Sequence, residues 1–193
     1  MIDYIKGTIT QITPTFLTIE TGGVGYFINI SITSFSSLEG KTDYKILIHE
    51  VIREDSHQLY GFAESEERNI FRLLISVTGV GANTARMMLS SLNPGELEKA
   101  IIVSDVNILK SIKGIGLKTA QRIIVDLKDK LGKQAGNDEI FGLADNTIRD
   151  EALSALVMLG FAKSAVLKVL DKILREEKNL TVEDMIKRAL KNL

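Results

Sequence analysis

Two segments of this sequence repeat one arrangement of glycine, apolar residues and threonine. VTGVGANTARMML at 77–89 aligns without gaps with IKGIGLKTAQRII at 112–124, an offset of 35 residues. Each segment contains a Gly-x-Gly triplet followed by a Thr-Ala pair. A helix that begins after the second glycine leaves its first backbone N–H groups unpaired, and such groups bind anions. The chemistry that this spacing predicts is therefore phosphate binding by backbone amides.

Each residue of the repeat has a predicted task. The first glycine, Gly79 or Gly114, is expected in a left-handed turn conformation that other residues avoid. The apolar residue between the glycines should point inward and fix the turn, and the second glycine should let a ligand come close. The positive end of the helix dipole then favours a phosphate. The predicted contacts to a DNA backbone are Gly79, Val80, Gly81, Asn83, Thr84, Gly114, Ile115, Gly116, Lys118, Thr119 and Arg122.

The charges are unevenly distributed along the chain. The net charge is -1, yet residues 1–70 hold 5 basic and 10 acidic side chains, whereas residues 71–130 hold 9 and 5. Both repeats lie in this basic block, which favours contact with phosphates on both strands across a minor groove. Such contact follows DNA shape rather than base sequence. The alternative is two tight helix turns that only pack together.

Composition removes several classes of function. The chain has no cysteine, which excludes disulfides, thiolate metal sites and a cysteine nucleophile. It has no tryptophan and only 6% aromatic residues, so stacking platforms for single-stranded bases should not dominate. No signal-peptide layout and no apolar run of about 20 residues is present. We expect a soluble cytoplasmic protein without membrane contact, catalytic residue, metal or cofactor.

The element pattern predicts an α+β multidomain chain. Residues 1–63 read as five short strands punctuated by Pro14, Gly22-Gly23 and Gly40, which favours a five-stranded barrel of the oligonucleotide-binding (OB) type. Residues 64–132 read as an all-helical double hairpin domain of about five helices, the last ending before Gly132. Residues 133–146 read as a flexible linker. Residues 147–193 read as a small three-helix domain.

The chain resembles the RuvA family, the Holliday junction-binding subunits of branch migration complexes. The similarity spans the whole chain. The motifs match those of the family, and so do their order and their spacing along the chain. The segments that carry it are GGVGY (22–26), REDS (53–56), LYGF (59–62), Glu67-Arg68 with Phe71, GVG (79–81), GIGLKTAQR (114–122) and ALVMLGF (155–161).

The resemblance implies an assembly and its partners. It implies a homotetramer that holds a four-way DNA junction open and square, with one or two tetramers per junction. It implies that the third domain recruits the hexameric ATPase RuvB, and RuvC resolvase is a possible further partner. By the same resemblance, Glu54 and Asp55 match an acidic pin that repels phosphates at the junction centre. Leu156, Leu159 and Phe161 match apolar positions that face the motor.

The sequence also departs from the family. Many relatives carry lysine where Asn83 and Leu117 stand, so each hairpin has one basic side chain fewer. We therefore expect weaker or less salt-dependent DNA binding, for which Arg86, Arg122, Lys110 and Lys113 could compensate.

Two other functions remain open from the residues. One is a nuclease or glycosylase that docks through these hairpins, although the two histidines both fall in the β region. The other is a pure protein-interaction module in which the C-terminal helices do the main work.

Overall fold

The structure is a computed structural model that describes residues 1–135, 144–176 and 180–193. It divides into two compact units, one on each side of the boundary between residues 137 and 138. The strands are β1 (Tyr4–Ile12), β2 (Phe16–Thr21), β3 (Val24–Asn29), β4 (Asp43–Ile52) and β5 (His57–Phe62). The helices are α1 (Ile32–Leu38), α2 (Ser65–Ile75), α3 (Ala82–Ser91), α4 (Pro94–Ile102), α5 (Val106–Ser111), α6 (Leu117–Ala135), α7 (Ala144–Met158), α8 (Lys163–Glu176) and α9 (Val182–Leu190).

The five strands close into a barrel in the order β1-β2-β3-β5-β4, which confirms the predicted fold class. Strands β3 and β5 pair in parallel through Asn29 and Tyr60, and the other neighbours are antiparallel. The barrel interior is closely filled, since a Cβ on Gly61 would lie 2.5 Å from the Ile28 side chain. A glycine is needed there because interiors leave no room for an added methyl group.

A short helix, α1, lies between β3 and β4 where the sequence predicts none. Its residues, ITSFSSL, are rich in serine and threonine, which are weak helix formers. Ser31 caps the helix by accepting a hydrogen bond from the Ser34 amide at 2.9 Å, and Leu38 is fully buried. Capping and burial therefore override the low local propensity.

The outer face of β4 and β5 packs against the helices. Tyr60 and Phe62 lie against Phe71 of α2, with ring centroids 5.2 and 4.9 Å apart. Next to this contact, the buried Glu67 carboxylate accepts hydrogen bonds from the hydroxyls of Ser31 and Ser34. Tyr60 and Phe62 therefore share one hydrophobic core with the buried side chains of the helices that follow the barrel.

Helices α2–α6 match the predicted number of helices in this region. The Asn93 side chain caps α4 in a capping box, and Asp105 caps α5. The predicted end of α6 before Gly132 is wrong, because the helix continues to Ala135. A glycine inside a helix costs about 1 kcal/mol, and the buried Leu131 side chain anchors the preceding turn.

The second unit consists of α7, α8 and α9, three helices as predicted. They enclose a core that includes Ala152, Leu156, Leu170 and Met185. Local features mark two helix ends in this unit: Gly160 has φ of 98° after α7, and Thr181 caps α9.

The domain boundaries proposed from the sequence stay predictions. Residues 136–143 of the predicted linker lie outside the described residues, and α6 and α7 extend to Ala135 and from Ala144 on either side.

Candidate nucleic-acid interface

The two Gly-x-Gly turns have the same backbone geometry. Gly79 has φ of 94° and Gly114 has φ of 92°, a conformation that favours glycine. In the first turn the Val80 amide donates to the Val77 carbonyl at 3.0 Å. In the second, Ile115 makes the equivalent bond at 3.1 Å. The sequence repeat is thus a structural repeat.

Val80 and Ile115 have a narrower role than predicted. Both side chains are buried, and both amides are used inside the turn. Neither residue can therefore offer an amide or a side chain to DNA without opening its turn. Their inward orientation, which the sequence predicts, shapes the turn so that the flanking residues are presented.

The helices after these turns begin with unpaired amides. The first helical bond of α3 joins the Ala85 amide to the Gly81 carbonyl, and that of α6 joins Ala120 to Gly116, both at 2.9 Å. The amides of residues 81–84 and 116–119 precede this ladder. Gly81 has no side chain to cap them. Helices α1, α4, α5 and α9 each carry a side-chain cap, and α2 does not. A helix start of this kind is suited to an external anion.

The space in front of both turns is open. A Cβ built on Gly79, Gly81 or Gly116 would meet no atom within 4 Å. A Cβ on Gly114 would lie 3.5 Å from the methyl carbon of Met87, a side chain of the other hairpin. The Met87 contact shows that α3 runs next to the second turn, so the two candidate sites are neighbours on one unit.

The predicted polar side chains surround these two helix starts. Asn83, Lys118 and Arg122 are exposed, and Thr84 and Thr119 are half-buried. Four of these five residues could donate a hydrogen bond or a positive charge without leaving their helix positions. The fifth, Asn83, is held at its side-chain oxygen, which lies 3.1 Å from the Tyr60 hydroxyl, and its amide NH2 group can still donate.

Arg86 is engaged with the barrel. One of its terminal nitrogens, Nη1, donates to the Thr15 carbonyl at 2.9 Å and to Asn29 Oδ1 at 3.2 Å. Arg86 is one of the side chains expected to compensate for the missing lysines, but its guanidinium is bound to the barrel. Sequence reasoning missed both the Arg86 and the Tyr60 contacts because they join residues 23 or more positions apart.

Glu54 and Asp55 occupy the tip of the hairpin between β4 and β5. Both are exposed, and the turn is closed by the Arg53 amide, which donates to the Ser56 carbonyl at 2.8 Å. The last paired residues are Ile52 and His57. The two carboxylates therefore project together from a short, hydrogen-bonded turn, and their role as a pin stays a prediction.

The three apolar residues assigned to the motor differ in exposure. Leu156 is fully buried in the core of the second unit, so its assignment as a contact residue is corrected to a core position. Leu159 is 62% exposed, and Phe161 is half-buried against that core. The sequence did not single out Met158, which is 89% exposed at the end of α7. Its place beside Leu159 at a helix end was the available signal.

The two histidines have neighbours that account for their positions. His57 Nε2 lies 3.2 Å from Glu50 Oε1, and the His49 ring packs edge-on against Phe71 at 5.4 Å. Burial, with Arg72 and Arg68 nearby, lowers the pKa of His49.

Within residues 1–135, 144–176 and 180–193, no group of three or more His, Asp or Glu side chains could hold a metal ion. No described helix is long and apolar enough to cross a membrane.

Comparison with known proteins covers almost the whole chain. Family models match residues 1–61 (RuvA N terminal domain), 71–129 (SAM-like Helix-hairpin-helix tandem) and 147–193 (RuvA, C-terminal domain). Three relatives, each named Holliday junction branch migration complex subunit RuvA, align over the full length of both chains. They come from Christiangramia forsetii (53% identical), Porphyromonas gingivalis (51%) and Bacteroides thetaiotaomicron (48%). With its closed barrel and paired helix hairpins, the chain belongs to the RuvA family.

Proposed function

We propose that this protein binds four-way DNA junctions as a non-catalytic subunit of a branch migration complex. The observation that carries the proposal is the pair of matched helix starts, with φ of 94° and 92° at their turn glycines, on one compact unit. Each start offers unpaired amides and open space to a phosphate. Two such sites side by side suit the two backbones that border a minor groove.

The assembly in this proposal is a homotetramer, with one or two tetramers per junction. Four copies would place four Glu54-Asp55 pairs around the centre, where their negative charge would keep DNA strands apart. The hairpin residues would hold the arms. The second unit would recruit an ATP-driven motor of the RuvB type through Leu159, Phe161 and the exposed Met158. RuvC would be a further partner on the same junction.

The test is a titration of the full chain with four-way, duplex and single-stranded DNA at several salt concentrations. We expect the tightest binding to the four-way DNA and an affinity that falls with salt, because phosphate contacts release counterions. A mass measurement with and without the junction should give one or two tetramers on the DNA. Equal and negligible binding to all three DNAs would reject the proposal. Metal-dependent cleavage of the junction by pure protein would reject the non-catalytic role.

A further inference from the structure

The hydroxyl of Tyr60 lies between the barrel and the first hairpin. Tyr60 belongs to β5 and is 1% exposed. Its hydroxyl oxygen is 2.7 Å from Gln58 Oε1 and 3.1 Å from Asn83 Oδ1. Asn83 is exposed and is the second residue of α3. One buried hydroxyl therefore links the barrel to the helix start that, in the proposed function, holds a phosphate.

The direction of this hydrogen-bond chain decides what Asn83 presents to a ligand. A carboxamide has an acceptor end and a donor end, and only the donor NH2 end can bind a phosphate oxygen. The Tyr60 hydroxyl has one hydrogen, so it donates to either Gln58 or Asn83 at any moment. When it donates to Asn83 Oδ1, the oxygen is held inward and the NH2 group is free to face outward.

From this geometry we propose that Tyr60 is a positioning residue for DNA: it orients the Asn83 amide as a neutral phosphodiester ligand at the start of α3. The inference rests on the proposed function and specifies one of its contacts. A lysine needs no such orientation, because its ammonium group has donors only. An asparagine does need it, because its oxygen would repel the phosphate if the amide turned round.

The electrostatic surroundings of Tyr60 agree with this role. Burial raises the pKa of the Tyr60 hydroxyl, while Arg86 and Arg53 act in the opposite direction. The hydroxyl is protonated at neutral pH, as in an ordinary tyrosine, and a raised pKa keeps it a donor in mildly alkaline solution as well.

Tyr60→Phe removes the hydroxyl and keeps the ring. We expect affinity for four-way DNA to fall about three- to tenfold, the range of one neutral hydrogen bond. The slope of log affinity against log salt should not change, because no charge is removed. Tyr44→Phe is the matched control: that hydroxyl also belongs to a barrel tyrosine, but it donates to the Ala63 carbonyl at 3.1 Å. The control should keep wild-type affinity.

A double-mutant cycle separates positioning from a general structural effect. In an Asn83→Ala background, Tyr60→Phe should have no further effect on affinity, because its only route to the phosphate is gone. In an Asn83→Lys background it should also be silent. Additive losses in either background, or an unchanged affinity for Tyr60→Phe alone, would overturn the inference. Failure of the wild-type chain to prefer four-way DNA would instead reject the proposed function, so the two failures are distinguishable.

Discussion

The Arg86 side chain on α3 donates a hydrogen bond to the side-chain oxygen of Asn29 on β3, at 3.2 Å. The same nitrogen reaches the Thr15 carbonyl at 2.9 Å. Both acceptors belong to the barrel, so one guanidinium joins the first hairpin to the barrel wall. This contact helps to fix the position of the α3 start relative to the barrel.

Replacing Arg86 with methionine should therefore lower the stability of the fold rather than weaken DNA binding directly. Arg86→Met keeps the apolar stem and removes the donor from the part-buried Asn29 oxygen, whereas the exposed Thr15 carbonyl still accepts from the Ile30 amide. The loss of unfolding free energy should be about 1 kcal/mol. Urea unfolding measures this loss. The salt slope of DNA binding should stay at the wild-type value. The control is Arg122→Met. Arg122 is exposed, so we expect normal stability and a smaller salt slope. A smaller salt slope for Arg86→Met, with lower stability for Arg122→Met, would contradict these roles.

A serine at position 81 should change stability and DNA binding in opposite directions. Gly81 has φ of -86° and ψ of 167°, almost the angles of Ser31, which caps α1 at -82° and 166°. Gly81→Ser can therefore cap α3 and raise stability by roughly a few tenths of a kcal/mol. The new hydroxyl would occupy the amides that we assign to phosphate, so junction affinity should drop about tenfold.

Thermal unfolding and a DNA titration on the same preparation test this prediction. Asn93→Ala supplies the control, since it removes the cap of α4 and should lower stability without lowering affinity. If Gly81→Ser bound the junction as tightly as wild type, the α3 amides would not be the phosphate site.

The repeat could be found from the sequence because the residues that shape each turn are close together along the chain. The positive φ at Gly79 and Gly114 and the inward Val80 follow from residues within a few positions of each other. The contacts that complete the site are not local: Arg86 meets Asn29 across 57 residues, and no periodicity predicts a partner at that distance. Secondary structure shows the same division between local and distant causes. The five strands and the Asn93 and Asp105 caps follow from local pattern, whereas α1 depends on burial against residues far along the chain.

Lys118 tests whether the second hairpin contacts phosphate through charge. Lys118→Ala should lower affinity for all DNA forms and reduce the salt slope by about 1 per subunit contact, because one counterion fewer is released. Its preference for four-way over duplex DNA should change little. Lys6→Ala, an exposed lysine on β1, is the control and should leave the slope unchanged. An unaltered slope for Lys118→Ala would argue against a phosphate contact.

The acidic hairpin tip should act on strand separation rather than on affinity. Neutralising both side chains, Glu54→Gln with Asp55→Asn, removes repulsion of phosphates, so junction affinity should stay constant or rise. A fluorescent base analogue at the crossover should report more stacking than with wild type. Glu20→Gln with Glu39→Gln, two exposed barrel acids, should change neither signal. A collapse of affinity in the tip variant would mean that these residues do not repel DNA.

Glu67 should make the stability of the first unit depend on pH. Its carboxylate is 2% exposed, and the dominant effect of burial raises its pKa, although the Ser31 and Ser34 hydroxyls oppose the rise. A raised pKa means that the folded state binds the proton more tightly than the unfolded state. The resulting stability is complete below the ordinary glutamate pKa and is lost as pH rises through the raised value.

Glu67→Gln removes this titration and, like the protonated carboxyl, offers the two serines donor and acceptor groups without a charge. We therefore expect the stability of wild type relative to the variant to be greatest in acid and to fall toward neutral pH. Urea unfolding between pH 4 and pH 7.5 measures it. Glu66→Gln removes one charge from the same helical turn at an exposed position and serves as the control. A difference between wild type and Glu67→Gln that grew with rising pH would contradict the raised pKa, because the carboxylate would then stabilise the fold in its charged form.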